Sequence, residues 1–198
     1  MINCSVIERI KEGDRDAFIL IYNTYRSKVY STAYFILKDC QYAEDVVQET
    51  FLQVYLKIYK LNAPEAFEAW LYKITVNYCF KLLKKDKKNN LLELDENSSL
   101  NKPDRDEQNV PDNIVIQNEM KDAIMHCIYG LPNKHRVVLT LFYFNNMSLK
   151  EIADIMGCSE GTIKSRLYYG KKILKDLLDS EYNSSFNNTV GGPIYESR

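Results

Sequence analysis

The stretch EIADIMGCSEGTIKSR, Glu151 to Arg166, sets a small residue, Ala153, ahead of a glycine, Gly157, and an apolar residue, Ile163. Two short helices that cross sharply need these in that order: a small side chain at the contact, tolerance of left-handed backbone at the turn, and an anchor in the second helix. Ile152, Ile155, Met156 and Leu167 complete the shared core. The second helix then presents Thr162, Lys164, Ser165, Arg166, Tyr168, Tyr169, Lys171 and Lys172 outward. Such cations and hydroxyls suit the phosphates and base edges of a major groove. A helical hairpin with an idle lysine face is the plain alternative. Breaker, anchor and basic helix agree, which favours DNA binding.

A second constellation lies in AFEAWLYKITVNYCFKLLKKDKK, residues 66–88, where Trp70, Lys73, Asn77, Lys81, Lys84 and Lys88 recur at helical steps on one face. An exposed aromatic and an amide leading into lysines suit a single nucleic-acid strand, whose bases stack and whose phosphates meet cations. Leu71, Ile74, Tyr78 and Leu82 form the neighbouring core stripe. The alternative packs Trp70 in the core and leaves the lysines idle. In the preceding helix, AEDVVQETFLQVYLKIY, Val47, Phe51, Tyr55 and Ile58 point one way, while Asp45, Gln48, Glu49 and Gln53 share another face. Acids and amides repel phosphate and better receive a basic protein helix, although acidic solvated faces are common.

Other chemistries find no support in the 198 residues. The five cysteines are odd in number and scattered without a CxxC pair, so they read as reduced, mostly buried thiols. His126, beside Cys127, and His135 fit no zinc spacing, and neither a metal nor a cofactor is expected. No apolar run approaches the roughly 20 residues of a membrane helix, and the first residues lack the apolar core of a signal peptide. These features predict a cytoplasmic protein that does not insert in a membrane.

The positioning elements are helices, with no convincing strand alternation. They are expected near 16–38, 42–59, from the Asn62-Ala63-Pro64-Glu65 cap into the lysines, and near 112–129, 133–144, 149–156 and 160–178. The net charge of −1 hides segregation: between Leu91 and Asn113 seven acids face two bases. That acidic stretch reads as a flexible linker between two basic helical units. The fold class is therefore all-α, two small helical domains over 1–90 and 112–180, a linker over 91–111, and a disordered tail over 181–198.

Taken in order, AEDVVQETF, FEAWLYKITVN and MSLKEIADIMGCSEGTIKSRL resemble the bacterial sigma factors, specifically the extracytoplasmic-function (ECF, group 4) subfamily of the sigma-70 superfamily, over about Ile7 to Leu178. The resemblance implies a region 2 bundle and a region 4 helix-turn-helix in a non-enzymatic subunit. Such a subunit binds core RNA polymerase, recognises promoter minus-thirty-five and minus-ten elements, and promotes opening for transcription initiation. Carried over, Asp45, Gln48, Glu49 and Gln53 would contact polymerase. Lys60, Leu61 and Asn62 of the loop, with Trp70, Lys73, Asn77, Lys81, Lys84 and Lys88, would hold the minus-ten element and its single-stranded non-template bases. Thr162 to Lys172 would read the duplex minus-thirty-five element. Having Trp70-Leu71 where housekeeping relatives have two tryptophans implies weaker melting. Family members are commonly held by an anti-sigma factor, often membrane-bound. A stand-alone helix-turn-helix regulator would need dimer heptads and a sensory pocket, and the N-terminal half signals neither.

Overall fold

Asp14 and Asp39 start the first two long helices by accepting backbone N–H groups that a helical first turn leaves without partners. The structure, a computed structural model, describes residues 4–93 and 124–190, with side chains over 4–85 and 124–181. A short helix, α1 (Cys4–Lys11), precedes α2 (Arg15–Leu37), α3 (Cys40–Lys57) and α4 (Phe67–Glu93). Single 3-10 turns, Ile58–Lys60 and Pro64–Ala66, carry the chain from α3 to α4. After residue 123 come α5, described over 124–130, α6 (Asn133–Leu139), a π turn (Thr140–Phe144), α7 (Leu149–Met156) and α8 (Glu160–Val190). The described residues hold no strand. Linker residues 94–111 and tail residues 191–198 lie outside them.

Several expectations shift. Ala63, not Asn62, stands at the cap of the Pro64 turn, and no side chain caps it. On α3 the buried row runs Val47, Phe51, Val54, Ile58, and Tyr55 is 60% exposed. Steps of four alone drift round a 3.6-residue helix, and the step of three restores the row. On α4 the buried row is Leu71, Tyr72, Thr75, Val76, Cys79 and Leu82, with Ile74 and Tyr78 only half-buried. All five cysteines are free, but Cys4 and Cys40 are exposed, against the expectation of mostly buried thiols. Helix α8 continues past Glu181 into the stretch expected to be disordered, as far as Val190. Gly191-Gly192-Pro193 follow it.

One core, centred on Ile21, Tyr25, Val29, Phe51, Val54, Phe67 and Leu71, belongs to α1–α4 alone. A second is shared. Ala33 and Ile36 of α2 and Tyr72, Val76 and Cys79 of α4 pack in one cluster with Val137 and Leu141, Ile152 and Ile155 of α7, and Ile163 of α8. The two lobes thus meet across an apolar seam. Arg136, 2% exposed, crosses it: Nη2 donates to the Ile36 carbonyl at 2.6 Å, while Nη1 donates to the Leu131 carbonyl at 3.0 Å. The Asn145 amide donates to the Thr32 hydroxyl at 2.9 Å, and Lys38 Nζ to the Tyr129 carbonyl.

Candidate nucleic-acid and protein interfaces

Helix α7 opens on a reciprocal cap. Ser148 Oγ accepts from the Glu151 N–H at 3.2 Å, and Glu151 Oε2 accepts from the Ser148 N–H at 2.8 Å. Gly157, at φ 61, ends α7 in the left-handed turn its spacing predicted. Ala153 and Ile163 are buried where the two helices meet. Helix α8 begins with Ser159, whose hydroxyl oxygen accepts the Thr162 N–H at 3.2 Å. Along α8, Lys164, Ser165, Tyr168, Tyr169, Lys171 and Lys172 are exposed, and the two tyrosine rings meet edge to face at 5.3 Å. Thr162 and Arg166 are half-buried instead. Thr162 pairs its hydroxyl with Ser159 at 3.0 Å, and the Arg166 guanidinium donates to Cys158 Sγ at 3.7 Å. Those two side chains shape the start of α8 as well as facing out.

Helix α6 packs so tightly on α8 that a Cβ on Gly170 would lie 3.2 Å from both the His135 Cβ and the Leu139 Cδ1. This approach brings His135 Nδ1 to 2.9 Å from the Arg166 carbonyl and sets Lys134 beside α8. An open groove of about 850 Å³ results, lined by Lys134, His135, Ser159, Ser165, Arg166 and Tyr169. Cations and hydroxyls converge there on the exposed face of α8, an arrangement that suits a phosphate backbone. Sequence reasoning passed over Lys134: its place in a first turn after Pro132 was visible, but the crossing of α6 over α8 was not. Glu160, exposed in the first turn of α8, was also passed over.

On the other lobe, α3 and α4 enclose a groove of about 250 Å³ lined by Glu49, Gln53, Lys57, Asn77, Tyr78 and Lys81. The acid-amide face and the Asn-Lys face, read from sequence as separate surfaces, therefore adjoin. Gln53 Nε2 donates to Glu49 at 2.8 Å, while Gln53 Oε1 is shielded from solvent and lacks a hydrogen-bond partner among the described residues. Lys81 Nζ sits 5.3 Å from the centre of the Tyr78 ring. Burial, and then the carboxylates of Glu49 and Asp45, hold the Tyr78 hydroxyl above its ordinary pKa.

Lys73, Asn77, Lys81 and Lys84 are exposed along α4, and Lys60 and Asn62 on the loop before it. Trp70 is not the exposed ring expected. It is half-buried, 6.2 Å from the Phe67 ring and packed on the first core. Leu61, 7% exposed, is a core residue whose side chain offers DNA nothing. The side chain of Lys88 lies outside the described residues. Asp45 and Gln48 are exposed on α3, with Glu49 and Gln53 half-buried. Beside them Leu52 is 50% and Tyr55 60% exposed, an apolar component the sequence reading had assigned elsewhere or omitted. Among the described residues no cluster of histidine, cysteine and carboxylate could hold a metal ion, and no helix is long and apolar enough to cross a membrane.

Comparison with known proteins agrees with this geometry. Sigma-70 region 2 matches residues 21–89, and Sigma-70, region 4 matches residues 121–174. The chain is 31% identical over 176 residues to the ECF RNA polymerase sigma factor SigW of Bacillus subtilis, covering 87% of this chain and 94% of that one. It is 30% identical over 181 residues to the ECF RNA polymerase sigma-E factor of Haemophilus influenzae, covering 88% and 94%. Two solved structures share the fold. They are CnrH in complex with the cytosolic domain of CnrY (TM-score 0.65, 19% identity, 89% of this chain and 97% of that one) and RpoE with the anti-sigma factor NepR from Bartonella quintana (TM-score 0.66, 20% identity, 82% and 96%). With region 2 on α2–α4, region 4 on α5–α8, and a relative matched over nearly its whole length, the chain belongs to the ECF RNA polymerase sigma factors of the sigma-70 family.

Proposed function

We propose a division of labour between the two lobes in promoter recognition. Helix α8 enters the major groove of the minus-thirty-five element. Lys164, Ser165, Tyr168 and Tyr169 meet base edges and backbone, and Lys134, Lys171 and Lys172 meet phosphates. Glu160 adds an acceptor at the helix start, where recognition helices reach base edges, and a carboxylate there favours a cytosine amino group. On region 2, Asn77 and Lys81 border the groove that takes an unstacked minus-ten base, half-buried Trp70 leans on the junction, and Lys60, Asn62, Lys73, Lys84 and Lys88 track the strand. Holding an extruded base shifts the duplex toward the open state by mass action. Domain limits of 1–90 and 112–180 serve this division, with α8 extended to Val190.

The outward face of α3 receives core RNA polymerase: Asp45, Gln48 and Glu49 pair with basic groups around an apolar centre of Leu52 and Tyr55. The protein acts in the cytoplasm and is not itself an enzyme. Two neighbours in fold were solved with CnrY and with the anti-sigma factor NepR, which supports an anti-sigma factor as a further partner here. The observation that carries the reading is the exposed cation, hydroxyl and tyrosine face of α8, with the Lys134 groove beside it. Run-off transcription with purified core polymerase over a fragmented genome tests it. Transcripts starting at a shared sequence element are expected, and their absence at every site overturns the reading.

A further inference from the structure

We propose that His135 is a phosphate ligand of the minus-thirty-five surface that binds only as the imidazolium, so that seating duplex DNA on α8 draws a proton onto the chain. The inference rests on the reading of α8 and the Lys134 groove given above. His135 is only 7% exposed, yet it lines that groove. Its Nδ1 lies 2.9 Å from the Arg166 carbonyl. The missing side chain at Gly170, where a Cβ would stand 3.2 Å from the His135 Cβ, lets the ring come this near.

That bond fixes the tautomer. A carbonyl oxygen can only accept, so Nδ1 carries a hydrogen in both charge states of the ring, and the neutral ring keeps its lone pair on Nε2. With Nδ1 engaged, Nε2 is the nitrogen that a ligand in the groove meets. Phosphate oxygens are acceptors too. A neutral His135 therefore sets lone pair against lone pair, whereas the imidazolium donates a charge-assisted hydrogen bond from Nε2. DNA and the proton are then reciprocal ligands: if one draws the other in, each must tighten the other's binding.

The surroundings supply no other counter-charge. From its own helix Lys134 faces the groove, and from α8 come Arg166, the Tyr169 phenol and the hydroxyls of Ser159, Thr162 and Ser165; no carboxylate is among the lining residues. Arg136, next in the chain, turns the other way, to the Ile36 carbonyl. A phosphate seated among these cations provides the negative charge that the imidazolium lacks. The chain has one other histidine, His126, which is exposed on α5 and does not line the groove, so proton uptake on DNA can be assigned to a single ring.

The test binds the full chain to a short duplex of arbitrary sequence at low salt, because a phosphate contact does not depend on sequence. In His135→Asn the amide nitrogen replaces Nδ1 as donor to the Arg166 carbonyl, and the titrating proton is gone. Between about pH 8 and about pH 6, wild type and His126→Asn should gain at least about fivefold in affinity, and His135→Asn less than about twofold. Calorimetry of wild type at about pH 7, in two buffers of different ionisation enthalpy, should show net uptake of more than about half a proton on binding, a readout that needs no variant. Affinity indifferent to pH, binding without proton uptake, or an undiminished pH dependence in His135→Asn overturns the assignment. Binding that ignores pH removes His135 alone and leaves the promoter reading standing; if no duplex binds at any pH, both fall.

Discussion

Three residues show how single atoms set the interfaces. A methyl group on Gly170 would press within 3.2 Å of the side chains of His135 and Leu139. Gly170→Ala makes the side chains of His135 and Leu139 give by a few tenths of an ångström, with an expected loss of about 1 kcal/mol in urea unfolding and weaker binding of a minus-thirty-five duplex. Lys134 faces the groove from the opposite helix, where it acts on phosphate rather than sequence. Lys134→Ala should weaken binding equally for all duplexes and reduce the slope of log affinity against log salt by about 0.9. Equal slopes for variant and wild type would remove Lys134 from the interface. Tyr72 is the third. Burial pushes its hydroxyl pKa to about 12, from an unfolded value near 10. Its folded pKa being the higher, the stability it contributes is intact below pH 10 and lost as pH rises toward about 12. Urea midpoints should fall between pH 10 and pH 12, and less so in Tyr72→Phe. None of these three was legible beforehand, whereas the recognition face of α8 was, because it is local. Lys134 depends on a helix crossing that no spacing encodes.

At the scale of elements, the helix-turn-helix was fully written in the chain. Ser148 and Glu151 start α7, Gly157 ends it, and Ser159 starts α8, each signal lying within one turn of the backbone it controls. The faces of α3 and α4 were less legible. Their apolar residues outnumber the positions that one core can take, so periodicity alone cannot choose between Val54 and Tyr55, or decide how far Trp70 sinks beside Phe67. The bounds of α8 were missed for another reason. Ser, Asn and Thr are weak helix formers, so periodicity fades after Glu181, but no proline or glycine breaks the backbone before Gly191. The exposed part of α3 carries its own prediction. Leu52 is half-exposed and outside both cores, so Leu52→Glu should change stability by no more than about 0.5 kcal/mol. Placed at the centre of the proposed polymerase surface, it should nevertheless abolish co-elution with core polymerase on gel filtration. Undiminished co-elution would move that surface elsewhere.

For the whole molecule, the shared core makes one thermodynamic unit of two lobes that the sequence presents as separate. Sequence patterns gave each lobe an apolar stripe of its own, but the complementarity of α2 and α4 to α6 and α7 arises only in three dimensions. Trp70, the single tryptophan, lies in the first lobe, packed with Phe67 and away from the seam. Ile163 lies fully buried in the second, with no part in the first core. Ile163→Ala empties that space and should cost about 2–5 kcal/mol. In independent lobes the loss would stay in the second: far-ultraviolet dichroism would show an early transition, and the Trp70 fluorescence midpoint would hold its wild-type value. With the lobes closed on each other, unfolding the second strips cover from Tyr72, Val76 and Cys79 and removes the Arg136 cap from α2. The two probes should then coincide in wild type, and the Trp70 midpoint should fall in Ile163→Ala. Adding Asn145→Ala, which cuts the polar link to Thr32 without entering either core, should reduce that transfer and let the two transitions separate.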